Sequence, residues 1–412
     1  MSQTLPFWLD PRPAARIDLP LSGALTDLAR PGALTCEILG VEAARRHYDA
    51  WIDLTKRALE PNVFFEPAFA LAAAQHFAIA RKPRFLMVWR QKAGVRQLVG
   101  LSPVLLPRRG LPGRASLWRH DQSSSAVPLL DAAIAPAVFT AMLSAIAKEA
   151  QHVSALLIPR LPLHGAAAQV LRAAATGSGR ELRLYDEHQR AVFTRESSDP
   201  EQAVAGLSAK KHKELRRQWR RLAEGAELRI TSARTPAEVR QAAEEFLALE
   251  ARGWKGRAGT ALLGDPGLAT FTRTALRALA AEGKCRIDLL LRAGVPIAAA
   301  VVLTSGGRAF YWKTAYDEAY AEFSTGVQLS IETTRLQIAE SGVDLTDSGA
   351  IENHPMIDRL WRGRIDIGDA LIAVEGKRSV SFDAVAAREA ATRSLKSRAK
   401  KALHALKGGK WS

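Results

Sequence analysis

Cysteine is nearly missing from this chain of 412 residues: Cys36 and Cys285 stand alone, with no CxxC spacing and no nearby His pair. Their isolation argues against a disulfide framework or a zinc site, and it fits a reducing cytoplasm. Long apolar runs are scarce too. The longest, IAAAVVL at 297–303, is far too short to span a bilayer, and the opening MSQTLPFWLDPRPAARIDLP lacks the charged start and apolar run of a signal peptide. The expectation is a protein not integral to a membrane. Several signatures are absent: there is no Walker P-loop, no GxGxxG after a strand, no GxSxG, and no HExxH among 9 histidines. Kinase, dehydrogenase and hydrolase readings fall accordingly, and no metal site is expected. Acidic residues are in deficit, 42 against 58 Lys and Arg, giving a net charge of +16. Such a charge favours an anionic partner: nucleic acid, an anionic membrane surface, or phosphate on a small ligand.

What is present supports a folded protein. A hydrophobic content of 47% with moderate Gly and Pro is enough for a sizeable core, and the length suggests two domains. The second half reads most clearly. AELRITSA (226–233) alternates as a strand does. Thr235 and Pro236 then open a helix with Val239, Ala243, Phe246, Leu247 and Leu249 at helical spacing, and a second helix follows from Asp265 to Gly283 through Phe271, Leu276 and Leu279. CRIDLLLR, VPIAAAVVLT and RAFYWKTAY form an antiparallel meander punctuated by Ala293–Gly294 and Ser305–Gly307. A helix after FSTG and a strand at VDLTDSG complete the order β, α, α, β, β, β, α, β. The first half repeats it, from LTCEILG (34–40) to VSALLIPR, with a polar, turn-rich boundary near 190–206. The expected division is 1–195, 196–380 and a basic tail at 381–412.

That order resembles the GNAT acyltransferase fold, and its duplication resembles the tandem, FemAB-like branch. NVFFEPAFALAAAQHF and LVGLSPV resemble the amino-terminal domain of the CelD-like, cellulose-biosynthesis-type acetyltransferases. In the second half LSAKKHKELRRQWRRLAEG, ALEARGWKGRAGTAL, GVPIAAAVVL, FYWKTAYDEAYAEFSTGVQL and GVDLTDSG follow that family in order and spacing, so the likeness covers about residues 34–370. One departure lies after the last strand: relatives tend to carry a Tyr-Lys pair before an aromatic, and this chain reads ENHPMIDRLW. The resemblance implies an α+β fold of two tandem GNAT-like domains, each a mixed, mostly antiparallel sheet flanked by helices. It implies acyl transfer, in the first place acetyl from coenzyme A, to an amine or hydroxyl on a sugar-type or cell-envelope precursor.

A GNAT donor site needs parted strands and a helix start with free backbone N–H groups, small residues and a favourable dipole for the pyrophosphate. FSTGVQ supplies Ser324, Thr325, Gly326, Val327 and Gln328 after the right strand. RHDQSSSAVPLL, its counterpart in the first half, has no glycine and runs into Pro128, so the first domain reads as a degenerate partner. The alternative is that Ser324 or Thr325 merely caps a helix. Transfer to an amine needs a proton acceptor and a donor to the departing thiolate. Polar candidates are Lys313, Tyr316, Asp317, Tyr320 and Glu322 on one side of the gap, with Asp344 and Asp347 on the other. Among them Asp317 is the first choice for acceptor, Tyr316 for protonating sulfur and Lys313 for steadying an anionic acceptor or intermediate. The alternatives are a capping carboxylate, a packed tyrosine and a snorkelling surface lysine.

The basic run at 207–222 forms a helix with Leu207, Leu215, Trp219 and Leu222 on one stripe and Lys210, Lys213, Arg217 and Arg220 on another. Its charged side is expected to line the cleft between domains and hold phosphates. A similar segment in FemAB-like relatives accompanies phosphorylated sugar precursors, which implies that role for Lys210, Lys211, Lys213, Arg216 and Arg217; a solvated basic face is the alternative. Trp254 and Lys255 either stack on an acceptor sugar or plug the core. The carboxyl-terminal segment is basic and amphipathic, with Leu395, Ala399, Ala402, Leu403 and Leu406 on one face. It suits either peripheral contact with anionic lipid or a solvated tail. Two competing functions remain open: Fem-type transfer from aminoacyl-tRNA, and a non-catalytic adaptor that binds lipid or nucleic acid.

Overall fold

The computed structural model describes residues 33–92, 94–107, 113–195, 207–340, 342–376 and 380–406. The amino-terminal segment, most of the expected boundary, Lys407 and Lys410, and the side chains of Lys400, Leu403 and Leu406 lie outside the described residues. The first half runs β1 (Leu34–Leu39), α1 (Val41–Arg45), α2 (Tyr48–Arg57), α3 (Pro67–His76), β2 (Arg84–Lys92), β3 (Val95–Leu105), β4 (Gly113–Leu117), β5 (Leu129–Leu130), α4 (Ala135–Glu149), β6 (Val153–Pro162), α5 (Ala166–Ser178) and β7 (Leu182–Thr194). The second half begins with α6 (Ala209–Ala223), β8 (Leu228–Ala233), α7 (Pro236–Arg252), α8 (Trp254–Arg257) and α9 (Pro266–Ala281). It continues with β9 (Cys285–Arg292), β10 (Val295–Ser305), β11 (Arg308–Tyr316), α10 (Thr325–Ala339), β12 (Leu345–Asp347), α11 (Ile357–Leu360), β13 (Gly363–Ala373) and α12 (Val380–Leu406).

Local chemistry explains the elements around the site. Thr235 and Glu238 form a reciprocal capping box at the start of α7, and Pro236 occupies the first turn, where its missing N–H costs nothing. Asp265 does the same for α9, accepting from the Leu268 N–H at 2.9 Å. The buried stripes of both helices, Val239, Phe246 and Leu247 on α7 and Phe271, Leu276 and Leu279 on α9, press on the meander. Ala293 and Gly294, both with positive φ, turn β9 into β10.

Among the described residues all the strands join one 13-stranded sheet in the order β1-β2-β3-β4-β6-β13-β7-β12-β11-β10-β9-β8, with β5 beside β3. Strands β7 and β13, which the pattern reading did not reach, make this continuity. Each is the last strand of its own half and lies in the sheet of the other: β13 pairs with β6 and β7, and β7 pairs with β12. The two halves are thus linked by exchanged strands. Phe69 stands between Phe64 and Phe271, at centroid distances of 5.2 and 5.1 Å, so the core also crosses the junction. A buried Arg308–Glu60 ion pair at 3.0 Å adds a polar contact across it.

One stretch, Ala132–Glu149, is long and apolar enough to cross a membrane by length and composition. Here its Val138, Phe139, Met142, Leu143 and Ile146 are core residues. Helix α12 buries Phe382, Val385 and Ala386 and is exposed along most of its length beyond Glu389, including Leu395.

Candidate active site

Strand β11 pairs in parallel with β12 only from Arg308↔Leu345 to Phe310↔Asp347. Beyond that the strands part. The chain after β12 swings to β7, where the Ser348 N–H donates to the Ala191 carbonyl at 3.1 Å, while β11 runs on to Tyr316. A cavity of about 590 Å³ opens beside the freed edge, lined by the second half of β11, the start of α10, the loop 348–357 and Trp254–Lys255. Among the described residues the first half has no equivalent gap. There β4 pairs with β6 along nearly all its length, and the loop carrying Trp118, Ser123, Ser124, Ser125, Ala126 and Val127 is buried.

Helix α10 starts abruptly. Ser324 adopts the left-handed conformation (φ 53°) and its side chain makes no cap bond, nor does that of Thr325. The Gln328 N–H is taken by the Ser324 carbonyl at 2.9 Å, whereas those of Thr325, Gly326 and Val327 have no acceptor among the described residues. The Thr325 hydroxyl is buried and unpartnered as well. Orphan donors at a positive helix end, facing a cavity, are what an anion requires. Gly326 is needed for another reason: a Cβ there would lie 3.0 Å from the Tyr316 ring, which packs across the helix start.

A bulge in β11 sets the rest. Val301 faces Lys313 and Val302 faces Tyr311, so Trp312 is the extra residue in the ladder. Tyr311 turns to α10 and bonds the Ser330 hydroxyl at 2.8 Å, while the Trp312 Nε1–H donates to the Gln122 carbonyl of the first half at 2.8 Å. Lys313 Nζ lies 5.2 Å from the Trp312 ring centroid. It has no carboxylate partner among the described residues. Burial, with the nearby Lys255 charge, pulls its pKa down to about 8. Lys255 is differently placed, paired at 2.6 Å with the buried Glu250, whose other oxygen accepts from the Leu262 N–H at 2.8 Å. Trp254 is half exposed at the rim of the cavity and so does not plug the core.

Other expectations meet corrections. Asp317 does not line the cavity: its carboxylate accepts from the Ala319 N–H at 2.9 Å and caps the 3-10 turn Glu318–Phe323, the local demand that a strand-end aspartate meets first. Gln328 also points elsewhere, donating to the Leu215 carbonyl at 2.8 Å. Asp347 is sealed in a buried pair with Arg190 at 2.8 Å. Helix α6 does not line the cavity with its charges. Leu215 and Leu222 are buried and Leu207 and Trp219 partly so, while Lys210, Lys213, Arg216 and Arg217 face solvent and Lys211 pairs with Glu214 at 3.1 Å. The helix crosses the start of α10 on the second half itself, held by Gln328 to Leu215 and Gln218 to the Glu322 carbonyl (2.8 Å each). Its free cations therefore point to solvent and not into the cavity.

Two cavity residues escaped the pattern reading. Trp312 sits in a strand and looked like core. His354 belongs to the departing segment ENHPMIDRLW, and that departure was its only signal. Its Nδ1 accepts from the Met356 and Ile357 N–H groups at 3.3 and 3.4 Å, and burial lowers its pKa, so the neutral ring carries its proton on Nε2.

A family model described as an acetyltransferase (GNAT) domain matches residues 209–354. This part of the chain is a GNAT-type acetyltransferase domain. It holds the parted strands, the α10 start and His354, and it makes the protein an acyltransferase. The crystal structure of FemX superposes with a TM-score of 0.50 at 10% identity, covering 81% of this chain and 96% of that one. A tandem GNAT protein from the clavulanic acid pathway covers 83% and 99% at 16% identity, with a TM-score of 0.42. The C-terminal domain of a putative lysylphosphatidylglycerol synthetase from Agrobacterium fabrum covers 84% and 96% at 11% identity, with a TM-score of 0.49. At these identities the likeness is one of fold. No curated protein matches the chain.

Proposed function

We propose that the protein moves an acyl group, acetyl in the first place, from coenzyme A to an amine or hydroxyl of an amino-sugar or cell-envelope precursor, in the manner of the CelD-like acetyltransferases it resembles. The observation that carries this reading is the gap between β11 and β12 beside the unpaired amides of Thr325, Gly326 and Val327. Those amides and the Thr325 hydroxyl suit a diphosphate, and the freed edge of β11 offers backbone N–H groups to an extended amide-bearing arm. Acyl-coenzyme A supplies a thioester carbonyl activated for attack. Around it, this chain's own groups divide the work: the Tyr316 phenol can deliver a proton to the leaving sulfur, the proton lost by the acceptor passes through water in the cavity and restores the phenol, and Lys313 steadies negative charge. With Asp317 turned to its cap, and with Tyr311 bonded to Ser330 and Lys255 to Glu250, the other titratable lining groups are Tyr316, Lys313 and His354. Calorimetry with acetyl-CoA tests the reading. Intact protein is expected to bind, and Gly326→Trp, whose side chain must displace the Tyr316 ring, is expected to lose at least about tenfold in affinity, or roughly 1.4 kcal/mol. Equal binding by both would overturn the placement.

The exposed cations of α6 beside the same helix start support a second reading, an aminoacyl-tRNA donor. Filter binding of tRNA with an affinity falling steeply as salt rises, together with no heat from acetyl-CoA, would favour it.

A further inference from the structure

The cavity lining has an uneven charge. Lys255, Lys313 and His354 reach it, and no Asp or Glu does among the described residues that line it. An enzyme that acylates a simple cationic amine would be expected to offer a carboxylate to the ammonium form, and here the acids flanking the cavity on α7 and after β11 are engaged elsewhere. Glu250 is bound to Lys255 and to the Leu262 N–H, Asp317 caps its turn, and Glu318 holds Arg257 and the Trp254 N–H at 2.6 Å each. Because Glu250 already neutralises Lys255, the charge left over belongs to Lys313.

Lys313 is held for this role rather than merely left over. The bulge turns it to the side of Trp312, whose ring is fixed by the Gln122 carbonyl, and Lys255 with the Glu250 carboxylate stands on α7 and α8 opposite. Glu250 and, more weakly, Asp121 from the first half attract it without contacting it. A partly buried ammonium with an aromatic face beside it and no carboxylate in contact is incompletely stabilised, and a negative group arriving there removes that cost. Trp254, half exposed at the rim beside Lys255, offers a flat apolar surface next to it.

We propose that the acceptor carries a carboxylate or phosphate close to its nucleophile, and that this anion pairs with the Lys313 ammonium on the Trp254–Lys255 side of the cavity. The proposal rests on the acyl-coenzyme A reading above and names the acceptor class for the same site. Since anion binding favours the charged lysine, affinity is greatest below a pH of about 8, where the free lysine is protonated, and falls as the pH rises beyond it.

Product-like probes without a titrating amine separate the sources: N-acetyl-β-alanine for a carboxylate, N-acetyl-phosphoethanolamine for a phosphate, and N-acetyl-β-alaninamide as the neutral match. Each is titrated into full-length protein saturated with coenzyme A, whose own binding is measured first. Absent coenzyme A binding would sink the underlying reading. Normal coenzyme A binding with all probes equal would sink the acceptor class alone. The expected result is at least about a tenfold preference for one anionic probe over the amide near pH 7, shrinking roughly tenfold by about pH 9.5. Lys313→Met should abolish the preference and leave coenzyme A affinity intact, whereas Lys313→Arg should keep the preference and lose its pH dependence. Thermal melts confirm folding of both variants. A preference that survives in Lys313→Met would place the anion elsewhere and overturn the proposal.

Discussion

Lys313 costs the fold stability at neutral pH, and the sign follows from where its proton sits. Its folded pKa of about 8 lies below the value of 10.5 for an unperturbed lysine, so between those values the unfolded chain binds more protons than the folded one. Its contribution to stability therefore rises with pH across that window and is flat below it. Lys313→Met should raise the melting temperature at neutral pH and remove that part of the pH slope, which calorimetric melts at several pH values will read. Arg190 differs in having a partner. Its guanidinium is fully buried, held by Asp347 at 2.8 Å and by the Ser124 carbonyl at 2.9 Å, and Asp347 in turn accepts from the Gly349 N–H at 2.8 Å. Removing one partner strands the other charge, so Arg190→Ala should cost about 3–5 kcal/mol in denaturant unfolding, a loss well beyond that of a surface arginine.

At the scale of elements, the start of α10 trades regularity for unpaired amides beside the cavity. A serine in the left-handed region is strained by roughly 1 kcal/mol, a cost glycine does not carry. Ser324→Gly should therefore melt no lower than the parent, gain up to about 0.5–1 kcal/mol, and still bind acetyl-CoA. A variant that folds and loses the cofactor would show that the hydroxyl itself is a ligand. At the start of α7, where the box of Thr235 and Glu238 is complete, Thr235→Ala should cost about 1 kcal/mol and leave binding alone. These elements were legible because capping, proline placement and apolar spacing are local: the α7 and α9 starts, the meander and the FSTG turn could all be read from neighbours in the chain. The bulge at Trp312 could not, since it is defined by the register against β10. Asp317 left both a proton acceptor and a capping carboxylate open for a related reason, because AYDE offers no sign of which way a carboxylate at a strand end will turn, and the structure gives it to the nearest orphan N–H, that of Ala319.

For the whole molecule, exchanged strands make the two halves interdependent. A chain ending before β13 would expose the edges of β6 and β7 at the centre of the sheet, and the second half alone would leave β12 and β13 without outer partners. Full-length protein should melt in one transition, while 207–406 expressed alone should aggregate or lack a cooperative melt. Two resolved transitions, or a soluble and cooperative second half, would contradict the interdependence. The sequence by itself determined the helices, the hairpins, the repeated order and the glycine-bearing turn where an anion can rest, since each is specified by periodicity and capping within a few residues. Only the tertiary structure decided that β7 and β13 trade places, that α6 turns its cations to solvent, and that Lys313 reaches the cavity with no carboxylate paired to it among the described residues. Those facts depend on which distant strands pair and on what burial does to a charge, and no local pattern encodes either.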